Sequence, residues 1–445
     1  MQMTNVHFIS IGGSVMHSLA IALKNSGYNI SGSDDKIYEP SLSRLKVNSI
    51  CPKVFGWFPD NITSDLDFVI LGMHAKLDNP ELLKAQDLNI KIFSYPEFIY
   101  EFSLNKTRIV IGGSHGKTSI TSMILHVLKR QDIDCDFMVG AQLDGFENMV
   151  RLTKNSPYMI IEGDEYLSSP IDRRPKFHLY HPHIAVLSGI AWDHINVFPT
   201  FEIYIEQFRL FKNMVRDTLI YCQEDFTLNK LVSEDTNCKV LGYTTHENKV
   251  IDGITYVENT KLQIFGNHNL QNLNAAKLVC KEIGIKSKDF YAEIASFKGA
   301  SNRLELVYCN KNTALYKDFA HSPSKLKATS KAMKEQFKNR KLVACMELHT
   351  FSSLDKEFLT QYKGCMNDPD ISIVYFNPEA IAHKGLNLIT KENIKKAFEK
   401  EDLKVFNSSC DLKKFLNTMD WENQNLLMMS SGNFNNINLK ELILL

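Results

Sequence analysis

Arg108-Ile109-Val110-Ile111-Gly112-Gly113-Ser114-His115-Gly116-Lys117-Thr118-Ser119 is the stretch that decides the fold. A short β-branched run ends in glycines, and apolar residues then recur at Ile120, Met123, Ile124, Val127 and Leu128. That spacing marks one face of a helix running to about residue 130. A strand, a glycine turn and a helix start gather backbone N–H groups and the positive end of the helix dipole at one point, which suits a polyphosphate. Lys117 can reach the β and γ phosphates, and the Thr118 hydroxyl can ligate Mg²⁺. Ile111 stands where the full G-x-x-x-x-G-K-T pattern has glycine, so the loop is a shortened one.

Toward the N-terminus, residues 6–11 read as a buried strand, followed by Gly12-Gly13-Ser14, a helix over 15–25, a stop at Gly27 and a strand over 28–34 ending at Asp34. This is a nucleotide-binding βαβ order without the third glycine of G-x-G-x-x-G, and a plain tight connection accounts for it equally. Further strands are predicted at 67–71 and 90–94. Beyond the central turn, strands are predicted at 158–161 and 184–188, an antiparallel insertion at 238–265, and a helix over 269–283 that stops at Gly284. The last part alternates strands at 304–308, 313–316, 341–346 and 371–376 with helices at 324–337 and 391–400. Alternation of this kind predicts an α/β protein of mostly parallel sheets covered on both faces. The motif order divides the chain into 1–104, 105–296 and 297–445.

Composition narrows the function. The 445 residues carry 51 Lys+Arg against 51 Asp+Glu, which gives no long-range pull toward nucleic acid or an anionic membrane. The nine cysteines are scattered without a C-x-x-C pair, so neither a disulfide framework nor a zinc site is expected. No basic leader and no run of about 20 apolar residues appears, and a cytoplasmic protein is expected.

Other candidates lie at predicted strand ends. Glu162-Gly163-Asp164-Glu165 follows a strand, where carboxylates face a ligand crevice; Glu162 could hold a second Mg²⁺, and a solvated acidic loop is the ordinary alternative. Asp193-His194 follows another strand, and His194 is either a metal or phosphate ligand or a structural turn histidine. His268, Asn269 and Asn272 open a helix, where they could read a purine edge or, for Asn269, simply cap it. Arg303 is a candidate cation for a transferring phosphoryl group, and Asp318 and His321 sit between a strand and a helix.

Taken in order, these motifs resemble the Mur ligase family: Gly113–Thr118, Glu162–Glu165, Asp193-His194, Gly266–Ala276, Arg303–Glu305 and Asp318–His321. The resemblance implies a three-domain architecture: a Rossmann-like UDP domain, a central P-loop ATPase-like domain and a C-terminal Rossmann-like ligase domain. It implies ATP and Mg²⁺, with Gly113, Ser114, His115, Gly116, Lys117, Thr118, Ser119, His268, Asn269, Asn272, Arg303 and Asp318 around ATP. Thr118, Glu162 and His194 would hold the metal, and Lys117, Glu162, His194, Arg303, Asp318 and His321 would serve catalysis. Gly12, Gly13, Ser14, Ser33, Asp34, His74, Asp164 and Glu165 would contact a UDP-linked substrate. Within the family, the segments Gly32 to Pro40 and Asp172-Arg173-Arg174-Pro175-Lys176-Phe177 resemble ligases that return a murein tripeptide, L-alanyl-γ-D-glutamyl-diaminopimelate, to UDP-N-acetylmuramate. Addition of L-alanine is the alternative, and a non-catalytic nucleotide or UDP-sugar sensor is the alternative of another class. A monomer or weak dimer is expected. Departures from the pattern stand at Ser188-Gly189, Ala191, Asn302, Lys317, Ser322 and Ser430–Phe434.

Overall fold

The computed structural model describes residues 3–141, 143, 145–192 and 197–442. The chain divides into two compact units, 1–244 with 272–293, and 245–271 with 294–445.

The first unit holds two sheets. Strands β1 (Asn5–Ile9), β2 (Asn29–Ser33), β3 (Phe68–Leu71) and β4 (Lys91–Ser94) form a parallel sheet in the order β2-β1-β3-β4. The chain winds away from β1 in one direction and from β3 in the other, so the switch point lies beyond their carboxyl ends, at Gly12-Gly13 and Gly72–His74. The helix Ser14–Asn25 buries Met16, Leu19, Ala20 and Leu23 on this sheet. Local chemistry sets the helix starts. Asn79 caps Pro80–Asp87. Ser94 and Glu97 form a capping box for Tyr95–Phe102, with proline in the first turn where no N–H is needed.

The second sheet contains β5 (Thr107–Gly112), β6 (Cys135–Met138), β7 (Val150–Arg151), β8 (Tyr158–Glu162), β9 (Ile184–Leu187), β10 (Thr218–Cys222) and β11 (Lys239–Tyr243), ordered β11-β10-β9-β5-β8-β6-β7. All neighbours are parallel except β6 and β7. Strand β5 is central, and Ile109, Val110 and Ile111 are fully buried, each stabilising the fold by roughly 1.5–3 kcal/mol. The helix Lys117–Arg130 is buried around most of its surface and ends on Lys129 and Arg130, cations that complement its dipole. Ser26 Oγ donates to Leu152 O at 2.9 Å and Asn148 Nδ2 to Ser18 O at 2.9 Å, tying the two sheets' layers together.

The second unit contains an antiparallel sheet of β12 (Lys249–Ile251), β13 (Ile254–Val257) and β14 (Thr260–Leu262). It also holds a six-stranded sheet of β15 (Glu305–Cys309), β16 (Ala314–Asp318), β17 (Lys341–Leu348), β18 (Ile371–Phe376), β19 (Lys404–Phe406) and β20 (Gln424–Met429), ordered β15-β16-β20-β17-β18-β19. Only the β15–β16 pair is antiparallel. The insertion predicted at 238–265 is shorter than expected. Lys239–Tyr243 pairs in parallel with β10 on the central sheet, and only the remainder turns antiparallel. Among the described residues no helix is long and apolar enough to cross a membrane.

Candidate functional site

The phosphate loop leaves β5 at the central sheet's switch point, flanked by the carboxyl ends of β8 and β9. Its conformation demands glycine twice. Gly113 has φ +124°, and a Cβ there would lie 2.2 Å from Ser188 Oγ; Gly116 has φ +82°, and a Cβ would lie 2.4 Å from Asn272 Oδ1. Asn272 is therefore brought against the loop. Ser188-Gly189, a departure from the family pattern, is part of the same packing. Ser188 Oγ donates to the carbonyls of Gly112 (3.2 Å) and His115. A Cβ on Gly189 would meet the His115 ring at 2.6 Å.

The acidic segment after β8 faces this loop. Lys117 Nζ donates to Gly113 O and to Glu165 Oε2, both at 2.8 Å. Burial opposes the Lys117 charge, but Glu165, Asp164 and Glu162 outweigh it and hold the ammonium above its ordinary pKa. Thr118 Oγ1 donates to Glu162 Oε1 at 2.7 Å, and Gly140 N donates to Glu162 Oε2 at 2.8 Å. Burial, with Asp164 adding to it, raises the Glu162 pKa above the usual carboxylate range. A hydroxyl and a carboxylate are the hard oxygen donors Mg²⁺ prefers, so this pair fits the implied metal. Among the described residues no group of three His, Cys, Asp or Glu forms a metal cluster. Asp193 and His194 lie outside the described residues. Ser119 is buried in the first turn of the helix.

At the other switch point, Gly12 N donates to Asp34 Oδ2 at 2.8 Å, and a Cβ on Gly12 would meet that oxygen at 2.9 Å. Burial, offset by the bond from Gly12 and assisted by Asp35, raises the Asp34 pKa. Gly13 precedes the helix Ser14–Asn25 without a capping side chain. Ser14 and His74 are exposed there. Ser33 is placed differently: it is buried, and its hydroxyl contacts His7 Nε2 (3.4 Å) and accepts from Asn61 Nδ2 (3.1 Å). Glu165 likewise faces the phosphate loop, with no solvent exposure. Asp164 meets Lys176 at 3.4 Å, so the segment 172–177 folds back onto the acidic loop, with Phe177 N donating to Asp164 O at 3.1 Å.

In the second unit, Asp318 acts as a clasp. Its carboxylate accepts from Leu304 N (2.6 Å) and Ala320 N (2.7 Å), pinning the segments that carry Arg303 and His321. Arg303 stacks 4.6 Å over the Phe319 ring. Asn302 adopts φ +56°, a left-handed conformation that asparagine tolerates better than arginine. Lys317 stands opposite Glu305 in the β15–β16 pair, a favourable charge placement. The Ser322 hydroxyl is buried without a hydrogen-bond partner among the described residues. His321 Nδ1 lies 2.8 Å from Phe319 O. Asn269 Nδ2 donates to Phe265 O at 3.0 Å, and burial lowers the His268 pKa against the pull of Asp318.

The match to family models is decisive. Residues 5–107 fit the Mur ligase family catalytic domain, and residues 111–280 fit the Mur ligase middle domain. A curated relative, the UDP-N-acetylmuramate–L-alanine ligase of Clostridium kluyveri, is 30% identical over 96% of this chain and 95% of its own. The chain is a Mur ligase. It is thus an ATP-dependent ligase that forms an amide bond in cell-wall synthesis. The counterpart from Clostridium beijerinckii is 28% identical over 90% of this chain and 89% of its own. The same architecture occurs in the murein peptide ligase of Psychrobacter arcticus, with TM-score 0.66, 23% identity and 98% of each chain covered. It occurs also in the UDP-N-acetylmuramate–alanine ligase of Thermotoga maritima, with TM-score 0.72, 19% identity and 98% and 97% covered. These likenesses bear out the α/β Mur ligase architecture expected from the motifs.

Three buried polar groups of this Mur ligase lay outside the sequence reading. Tyr204, fully buried, reaches both Ser114 and Glu165. Glu347, at the end of β17, accepts from Phe434 N at 2.9 Å and from Ser430 Oγ. Glu81 pairs with His7 at 3.3 Å inside the N-terminal layer. Each is a polar residue within an apolar pattern, a signal that shows burial only once the partner is known. A cavity of about 1200 Å³ near Tyr28, Phe102, Phe146 and Arg151 contains none of the expected site residues.

Proposed function

We propose that this Mur ligase joins L-alanine to the muramyl carboxyl group of UDP-N-acetylmuramate, using ATP. The reading is carried by the phosphate loop, where Lys117, Thr118, Glu162 and Asn272 converge on one helix N-terminus. The curated relatives, at up to 30% identity over nearly the whole chain, are named for L-alanine addition, which supports that amine. The muramyl carboxylate attacks the γ-phosphorus and ADP leaves; the amine then attacks the acyl phosphate and inorganic phosphate leaves. Lys117 neutralises charge on the transferring group. Thr118, Glu162 and His194 would hold Mg²⁺, which screens the phosphates. We assign the UDP-linked substrate to 1–104, where Gly12, Gly13 and Asp34 shape the turn, ATP to 105–296, and a ligase domain to 297–445.

A murein tripeptide as the amine is the second reading, favoured by the segment 172–177, whose Lys176 packs against Asp164, Tyr95 and Tyr166. ADP release with UDP-N-acetylmuramate is compared for L-alanine and for L-alanyl-γ-D-glutamyl-diaminopimelate. Consumption of L-alanine supports the first reading; turnover with the tripeptide alone replaces it by the second. Binding of ATP with no phosphate release under either condition favours a sensor.

A further inference from the structure

The phosphate loop is braced by a residue outside every motif. Tyr204 lies in the helix Phe201–Asn213, and its ring is fully buried between Phe198 (5.2 Å) and Phe208 (5.1 Å). Its hydroxyl donates to Glu165 Oε1 at 3.3 Å and lies 2.8 Å from Ser114 Oγ. A phenol has one proton, so the Ser114 hydroxyl donates to Tyr204. Ser114 Oγ in turn accepts from Ala191 N at 2.8 Å. Donors therefore run in one direction, from Ala191 N–H through Ser114 and Tyr204 to Glu165. Glu165's other oxygen receives Lys117 Nζ at 2.8 Å.

We infer that Tyr204 is a positioning residue for ATP, fixing the Ser114 hydroxyl and the Glu165 carboxylate that together set the loop and its lysine. This rests on the reading of the loop as the ATP site. The chain of bonds is internal and buried, so removing its middle member leaves Ser114 without an acceptor and Glu165 with one donor fewer. Lost donors of this kind typically weaken an interaction by about five- to tenfold. Tyr204 touches no reacting atom, so the loss falls on nucleotide binding and not on the phosphoryl transfer itself.

The test is Tyr204→Phe, which keeps the ring between Phe198 and Phe208. Binding of the β,γ-imido analogue of ATP is measured alongside kcat and KM for each substrate. The expected result is weaker analogue binding and a KM for ATP raised about fivefold to tenfold, with kcat and the KM for UDP-N-acetylmuramate within about twofold of wild type. Ser114→Ala should give the same rise, and the double variant no more than either single one. Should Tyr204→Phe lose its melting transition, Ser114→Ala alone carries the test, since it opens no apolar core. Wild-type protein that fails to bind the analogue overturns the ATP reading itself. Normal wild-type binding with unchanged KM in the variants, or losses that simply add, overturns the role of Tyr204 alone.

Discussion

Lys117 Nζ lies 2.8 Å from Glu165 Oε2, and that carboxylate has no exposure to solvent. The lysine is thus fully charged and already held at the loop, with Gly113 O as its second acceptor. On the proposed reading, an incoming phosphate would not recruit a mobile side chain from water but would take over a cation whose rotamer freedom is already restricted. Asp164 and Glu162 add to the pull of Glu165 on this cation, so the acidic segment sets the charge at the loop.

Lys117→Ala is expected to abolish ADP release driven by UDP-N-acetylmuramate and the amine, by at least about 10²-fold in kcat. A coupled ADP assay reads this directly. Undiminished turnover would sink the assignment of the loop.

Gly116→Ala is expected to destroy ATP binding without unfolding the chain. A left-handed residue other than glycine costs roughly 1–2 kcal/mol, and the new Cβ would stand 2.4 Å from Asn272 Oδ1. Analogue titration should show the loss, and a preserved melting transition should separate it from misfolding.

Mg²⁺ dependence should shift with pH because of Glu162. Its pKa is raised by burial and by Asp164, and a cation binds the carboxylate and not the acid. Lowering the pH should therefore raise the Mg²⁺ concentration needed for half-maximal activity, starting above the ordinary glutamate value of 4.5. Glu162→Gln should remove this pH dependence along with most of the affinity, measured as Mg²⁺ titrations of ADP release.

The His7–Glu81 pair should matter for stability and not for chemistry. Glu81 accepts from Phe58 N at 2.8 Å and from Asn61 Nδ2 at 3.3 Å as well as meeting His7. Glu81→Ala removes the carboxylate that faces the buried His7 ring and accepts from Phe58 N and Asn61 Nδ2, and should cost about 3 kcal/mol in urea unfolding. Burial raises the Glu81 pKa, but His7, Ser33 and Phe58 N outweigh it and hold it below 4.5. A depressed carboxylate contributes stability that is present above its unfolded pKa and lost as pH falls through the folded one. The wild type should therefore lose this contribution below about pH 4.5, and the variant should show a flatter acid limb.

The glycine-lysine-threonine turn, its flanking strand and helix, and the alternating layers were legible because each follows a strict local rule: β-branched run, glycine turn, 3.6-residue period. Strands such as Thr218–Cys222 and Gln424–Met429 were not anticipated, since a five- or six-residue apolar run without a flanking motif is ambiguous by periodicity alone. Lys239–Tyr243 was assigned to the insertion because sequence does not reveal which sheet edge is open to a strand. Ser33 and Asp318 were expected at ligands, and the partners they have in the fold, His7 and Asn61 for Ser33 and the N–H groups of Leu304 and Ala320 for Asp318, are not readable from sequence. Tyr204 stayed hidden because an aromatic residue on the apolar face of an amphipathic helix looks like ordinary packing.

Both switch points of the first unit lie beyond the carboxyl ends of parallel strands, so the groups that would meet ligands sit on connecting loops while the hydrogen-bonded ladders lie behind them. Descendants of such a protein can exchange one amine for another by rewriting a few loop positions, with the layered frame inherited intact. Divergence in acceptor choice is therefore a small mutational step for this scaffold, whereas loss of nucleotide use would require dismantling the turn on which its central helix begins.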